Sequence, residues 1–435
     1  MGVTKMAVTT IPTLDPQWLT AARFADEPQW LTEQRQAAWT QLADLPLPRF
    51  TKVAYGDWPL TAFTNELAKP AAPIDDATDD YQLVSVGQTT QTLTLPDALQ
   101  QQGVILCDWP TALREHEALV RRYLFQKAVR PNEDRLTALN AALMNAGAFL
   151  YIPENAVLKT PINLWQLQDS RQAANFISHT VIVAAPHSDF QVLQHLSTVG
   201  EVANPAHVTV EVIAEAGSHV RFSSLDAFGK TTHAYVNRRG HLERDAEIDW
   251  TMGVFNEGNV IADFNSNLRE PGSHTEVQTV AVSTHDQQQG INTKVTNYGR
   301  HSEGNILQRG VVLQDSTLVF NGIGKIIHGA HGAKAQQENR LLMLSPTASG
   351  DANPILLINE NDVIAGHAAS VGRINEKQLY YLMSRGLPEA VAKRLVIRGF
   401  LGVILSAIPV VSVRQRMIDL IDQKLNLAEA GDQRD

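Results

Sequence analysis

The chain changes its rhythm of apolar and polar positions twice. Over roughly the first 150 residues, apolar side chains recur mainly at helical spacing. After Asp26-Glu27-Pro28, where a proline at a helix start gives up no needed N–H, Leu31, Ala38, Leu42 and Leu45 fall on one face. LPLPRF (45–50) ends that helix. KPAAPIDDATDDY (69–81) is rich in proline and acid and poor in bulky apolar residues, the composition of a linker or exposed loop. Two short strands are expected around Gln82–Val86 and Gln91–Leu95, then helices over about Ala112–Val129 and Asn132–Ala146.

From about Ala148 to Ser345 strand-like runs rich in Val, Ile, Thr and Phe follow one another. HVTVEV sets Val208, Val210 and Val212 on one face and Thr209 and Glu211 on the other. No helix of ordinary length interrupts the stretch, which argues against βαβ units. Glycine shortly followed by histidine recurs at Gly217-Ser218-His219, Gly240-His241, Gly272-Ser273-His274 and Gly299-Arg300-His301, the glycines 23, 32 and 27 residues apart. That spacing fits the coils of a solenoid, each burying its face on the next, better than a sandwich with a turn every ~8–12 residues.

The tail returns to helix. Asn375, with Gln378, caps Glu376–Ser384; Gly386 ends that helix and Pro388 opens the next. Ala392, Leu395, Val396, Gly399 and Val403 form one stripe, and beyond Pro409 Val413, Met417, Leu420, Ile421 and Leu425 form another. Such stripes mean core packing first and a partner-docking helix hairpin second. Three regions result: 1–147 mainly helical, 148–350 a β-helix core, and 351–435 helical.

Composition narrows the function. Of 435 residues 44 % are hydrophobic, enough for a large core, and 36 basic against 46 acidic residues leave a net charge of −10. With no basic block, nucleic acid is not an expected partner. Cys107 is the only cysteine, so the chain makes no internal disulfide, four-thiolate zinc site or iron–sulfur site of its own. MGVTKMAVTTIPTLDPQW lacks the regions of a signal peptide, and the 15 uncharged residues GFLGVILSAIPVVSV fall short of a bilayer span of roughly 17–25. A cytoplasmic protein without membrane contact is expected.

Catalytic signatures are absent: no GxxxxGK[ST], no GxSxG, no HExxH. Twelve of 14 histidines lie between His179 and His331, with His328-Gly329-Ala330-His331 the tightest pair. A flexible glycine loop without a nearby thiol is a weak metal signal, and most of these histidines read as ornaments of turns and exposed strand faces. Asp245, Glu247 and Asp249 alternate onto one strand face, more simply a solvated face than an acid–base pair. No catalytic constellation emerges, which is the profile of a scaffold.

GDANPILLINENDVIAGHAASVGRINEKQLYYLMSRGLPEAVAKRLVIRGFL (350–401) closely resembles the C-terminal signature of the SufB/SufD family of iron–sulfur cluster assembly proteins, a run of the type NDVxCxHGAxVGxxDExxLFYLxSRG. FNGIGKII…QQENRLLMLSPTA (320–348), EPQWLTEQRQAAWTQLADLPLP (27–48) and GVILCDWPTALREHEALV (103–120) are similar to further blocks of the family. Length and cysteine poverty point to its SufD branch. The resemblance implies a mainly β fold, a right-handed parallel β-helix flanked by N- and C-terminal α-helical regions.

It also implies a non-catalytic scaffold subunit of the SUF machinery. Such a subunit pairs with SufB and docks the ATPase SufC through C-terminal helices, in a SufB–SufC2–SufD complex, with a homodimer open to the isolated chain. The family's C-x-H element falls on Ala365-Gly366-His367, so His367 matches the histidine linked to iron handling at the interface; Ala365 and Ala368 replace the usual cysteine and glycine. No cofactor is implied for the chain alone, only transient iron or a nascent iron–sulfur cluster at the SufB interface. For SufC docking the matching residues are Leu379, Tyr380, Tyr381, Arg385 and the helix Val391–Leu401, including Arg398 and Leu401. The competing readings are a β-helix enzyme acting on polysaccharide and a SufB-like subunit carrying the cluster itself.

Overall fold

The computed structural model describes residues 17–24, 26–62, 72, 81–406, 408 and 411–432. Except for Ala72 and Tyr81, the expected linker near 69–81 lies outside the described residues, as do the opening segment through Pro16 and the Pro409 break.

The N-terminal region runs α1 (Gln17–Ala21), α2 (Gln29–Gln41), a hairpin of β1 (Leu83–Val86) and β2 (Thr89–Leu93), α3 (Asp97–Gln101), β3 (Ile105–Cys107), α4 (Trp109–Glu115), α5 (Glu117–Tyr123) and α6 (Arg135–Leu143). Helix α2 follows Pro28, and Leu31, Ala38 and Leu42 are buried as the periodicity requires. The single helix expected over Ala112–Val129 is two short ones, because His116 leaves helical geometry at φ −131° and ψ 28°. Helix α6 opens on a capping box: the Asp134 carboxylate accepts from the Leu136 and Thr137 N–H groups, and the Thr137 hydroxyl accepts from Asp134 N–H.

The β region follows as β4 (Ala146–Ile152), β5 (Ile162–Ser170), β6 (Phe176–Ala184), β7 (Asp189–Gly200), β8 (Pro205–Ala214), β9 (His219–Ala227), β10 (His233–Leu242) and β11 (Glu247–Val254). It continues as β12 (Val260–Leu268), β13 (His274–Ser283), β14 (Gln288–Asn297), β15 (Glu303–Val312), β16 (Thr317–Ile326), β17 (Ala333–Met343), β18 (Ser349–Ile358) and β19 (Val363–Arg373). Odd-numbered strands from β5 to β19 stack in parallel in one sheet and even-numbered strands from β4 to β18 in the other. The chain therefore winds as a parallel β-solenoid of about eight turns.

One corner of each coil is left-handed. Asn155, His187, Gly217, Asp245, Gly272, His301 and Gly332 hold φ between +54° and +73°, a region that glycine, asparagine, aspartate and histidine tolerate best. These corners stack: the N–H of His187 donates to Ala216 C=O, that of Gly217 to Arg244 C=O, and that of Asp245 to Pro271 C=O, at 2.8–3.0 Å. Their spacing gives coils of 27–32 residues. Gly217 and Gly272 of the glycine–histidine repeat are corners, whereas Gly240 lies inside β10, which is why the repeat looked irregular.

Inside, apolar side chains stack in columns such as Phe222–Trp250–Val277–Ile306, all at 3 % exposure or less. Val208, Val210 and Val212 face this core. Thr209 and Glu211, on the other face, are buried as well, because the chain around α5 and α6 covers that flank of the solenoid. The solenoid also runs past the expected boundary at 350. Strands β18 and β19 form a last coil, and helix resumes only at Glu376. Their apolar alternation is weak because no further coil follows to bury one face.

The chain closes with α7 (Glu376–Ser384), α8 (Glu389–Leu405) and α9 (Val411–Asp432). The Asn375 side chain accepts from the N–H groups of Lys377 and Gln378, and Gly386 takes φ +89° after the helix end. In α8 the buried stripe is Ala392, Ile397, Leu401, Ile404 and Leu405, while Leu395 and Val403 are 45 % and 52 % exposed, so the stripe expected through those two is rotated. Ile397, Leu401 and Ile404 pack with Val413, Met417 and Ile421 of α9 on Val280, Val282 and Val311 of the solenoid wall. No helix of the described residues is long and apolar enough to cross a membrane.

Candidate functional site

The two ends of the solenoid differ. At the start, β1 and then β2 extend one sheet, and β3 runs antiparallel to β4 in the other. At the finish, β19 pairs only with β17 and β18 only with β16, so among the described residues each offers a free row of N–H and C=O groups along its outer edge. Leu357, Ile358, Ile364 and Val371 stand 36–60 % exposed on this coil. Free edges with exposed apolar residues are templates for pairing with another chain.

His367 lies on β19, in register with Gln337 of β17. That position continues the inward column Trp250–Val277–Ile306–Gln337, so the imidazole stands over the mouth of the solenoid interior, exposed because no coil follows. Beneath it, Gln337 Nε2 donates to Ile355 C=O at 3.0 Å, while Gln337 Oε1 and both amide atoms of Asn339 are buried with no hydrogen-bond partner. Ala365 lies in register with Ala335.

The corner leading into β19 is held by Glu360. Its carboxylate accepts from the N–H groups of Gly329 and Asn361 at 2.8 Å each, and His331 Nδ1 and His328 Nδ1 lie 3.3 and 3.7 Å from it. Those backbone donors, with His331, hold its pKa below the ordinary carboxylate range. Sequence reasoning singled out the two histidines but missed Glu360, the residue that organises them.

Cys107 sits on β3, at the far end of the fold, buried at 3 % exposure. Burial pushes its thiol up to about 12, so it is not a thiolate near neutral pH. The last coil therefore carries the His367 imidazole and the Glu360 carboxylate but no thiol.

Beside the last coil, α7 and α8 frame a cleft of about 690 Å³ whose lining includes Arg373, Tyr381, Leu382, Val396 and Phe400. Tyr380 and Tyr381 are 74 % and 57 % exposed, and the Arg385 guanidinium lies 5.1 Å from the Tyr381 ring centre. Leu379 is half-buried. Arg398 is exposed but tied to Asp422 of α9, with Nε 3.2 Å from the carboxylate. Leu401 is wholly buried against the solenoid wall and is a packing residue, not a surface one. The structure thus gathers Tyr380 and Tyr381 on α7 with Arg385 at its C-terminal cap, sets Arg398 apart, and removes Leu401. Most of the histidines between His179 and His331 do stand at turns or on partly exposed strand faces, the exceptions being His179 and His207, which are fully buried.

Comparison with known proteins identifies the family. Residues 166–400 match the SufBD core domain of the SUF system for FeS cluster assembly, and residues 77–164 match the SufBD protein N-terminal region. The iron–sulfur cluster assembly protein SufD of Bacillus subtilis is 40 % identical over 415 residues, covering 92 % of this chain and 95 % of that protein. The SufB protein of the same organism is 23 % identical over 308 residues, covering 71 % of this chain and 66 % of SufB. A SufBD family protein of Staphylococcus epidermidis is 25 % identical over 304 residues, covering 70 % and 65 %. Fold, matched domains and identity converge: the chain belongs to the SufBD family of iron–sulfur cluster assembly proteins and is SufD-like within it.

Proposed function

We propose that this chain is a non-catalytic cytoplasmic scaffold subunit of the SUF machinery, joined end to end with a SufB-type subunit through its last coil. The observation that carries the reading is the uncapped pair of strands β18 and β19 with His367 at the mouth between them. Continuing both sheets into a second solenoid would satisfy the free edges and cover Leu357, Ile364 and Val371. It would also enclose His367 in a seam, where a dry polar site binds metal more strongly than open water allows. In that seam His367 supplies one nitrogen ligand to transient iron or a nascent cluster, and the partner supplies the thiolates that this chain lacks. The exposed Tyr380, Tyr381 and Arg385 beside the α7–α8 cleft are of the residue types that anchor interfaces, and they are assigned to docking the ATPase SufC.

The test is co-expression of the chain with SufB and SufC of the same source, anaerobic purification, and analysis of iron and sulfide. The expected result is a stable complex whose iron and sulfide fall severalfold in His367→Ala while the subunit ratio stays unchanged. Ile364→Lys, placing a charge on the last coil, should abolish SufB retention without unfolding the chain. A complex that survives Ile364→Lys and keeps its iron in His367→Ala would overturn the reading.

A further inference from the structure

We propose that the outer flank of the solenoid carries a binding site for one divalent transition-metal ion, built by His219, Glu247 and Asp249 beside His274 of the next coil. This site is separate from the last coil. Strands β11 and β19 are four places apart in one sheet, about 19 Å at the usual strand spacing, so the inference does not depend on the SufB pairing.

The stacked corners create the site. Gly217, Asp245 and Gly272 each turn the chain, and the second residue beyond each corner opens the next strand of the same sheet: His219 on β9, Glu247 on β11, His274 on β13. The three are directly in register, so their side chains project side by side from one face. Asp249 lies two residues along β11 and returns to that face. His219 Nε2 is 3.0 Å from Asp249 Oδ2 and 3.8 Å from Glu247 Oε1. One ligand atom from each of the three lies within 4.8 Å of the others. Tetrahedral coordination at zinc-like bond lengths sets ligands about 3.3 Å apart, so small rotations of χ angles close the site.

Charge and accessibility favour a cation. The side chains of His219, Glu247, Asp249 and His274 are 23–39 % exposed, open to an ion yet held by their strands. Around them Asp189, Glu247, Asp249, Glu276 and Glu303 face only Arg221 and Lys334, a surplus of three negative charges when the histidines are neutral. Imidazole with carboxylate and no thiolate selects the Fe2+, Co2+ and Zn2+ class over Mg2+ or Ca2+.

Arg221 opposes the ion. Its Nη2 donates to His219 Nδ1 at 2.9 Å, which leaves the ring proton on Nε2 facing Asp249. A metal on Nε2 requires that proton to sit on Nδ1 instead, so Arg221 must release the ring and rest on Asp189, to which its Nη1 already donates at 2.6 Å. Removing the guanidinium should therefore tighten binding, an effect no mere ladder of ion pairs would show.

The experiment titrates the full chain with Zn2+ by calorimetry and with Co2+ by visible absorption, repeating with Fe2+ under anaerobic conditions. One ion per chain is expected. His219→Gln and Glu247→Gln should weaken it at least tenfold, His274→Ala less, and Arg221→Gln should strengthen it severalfold. His367→Ala should leave it unchanged, and circular dichroism confirms that each variant is folded. Affinity unmoved by His219→Gln and Glu247→Gln, affinity lost in His367→Ala, or no binding of any of the three ions at millimolar concentration would each overturn the proposal and leave the flank as an ion-pair ladder.

Discussion

Glu211 accepts hydrogen bonds from the N–H groups of Phe125 and Val129 at 2.9 and 3.0 Å and faces His179 Nε2 at 2.9 Å, with no exposed surface. It ties the turn after α5, where Phe125 holds φ +59°, to the solenoid wall. Glu211→Ala would leave two backbone donors and a ring nitrogen buried without their acceptor, at a cost of about 3–5 kcal/mol. Urea unfolding would show this as a lowered midpoint, and Glu211→Gln, which keeps one acceptor oxygen, should lose less. Nothing in HVTVEV distinguishes Glu211 from a solvated position; its burial comes from a segment more than 80 residues earlier in the chain.

At the scale of elements, α8 shows how a helix can be foreseen and its orientation missed. Every turn of α8 carries apolar residues, so the sequence permits more than one stripe, and contact with α9 and strands β13 and β15 decides which is buried. Two substitutions separate the roles. Leu401→Ala should cost about 2–5 kcal/mol and loosen the C-terminal helices, read by urea unfolding or limited proteolysis. Tyr380→Ala should leave the unfolding midpoint in place and weaken SufC retention in a pull-down. Lys424 adds a second anchor from α9. Its buried ammonium donates to the Asn256 and Val282 carbonyls and to Gln287 Oε1, all on the solenoid, and burial lowers its pKa to about 7.

Over the whole molecule, the buried histidines set an acid limit on stability. Burial lowers His195, His207 and His241 to about 4, with nearby cations adding to the effect at His195 and His241. Each stays neutral in the fold while the unfolded chain takes up a proton below about 6.5. Their contribution to stability is therefore full above pH 6.5 and falls as pH drops toward 4, where the loss from these three groups levels off. For the fully buried His207 the loss is about 3 kcal/mol across that window. Urea midpoints from pH 7 to pH 4 should drop steeply, and His207→Gln, which can still donate to the Leu60 carbonyl, should flatten the slope by about one proton.

The division between chain and fold follows from range. Strand periodicity, turn residues and caps act over a few residues, so the β-solenoid, the start of α2 at Pro28 and the Asn375 cap were all legible along the chain. His367 was legible too, through the motif around it. Its place at the mouth of the solenoid was not, since that depends on register carried through five strands of one sheet. The same holds for the free edges of β18 and β19, for Glu360 at its corner, and for the meeting of His219 with Glu247 and Asp249 across 28 residues or more. Local patterning specifies which elements form. Which side chains meet is decided by the stacking of one coil on the next, because neighbours across a parallel ladder lie about 30 residues apart in sequence and about 5 Å apart in space.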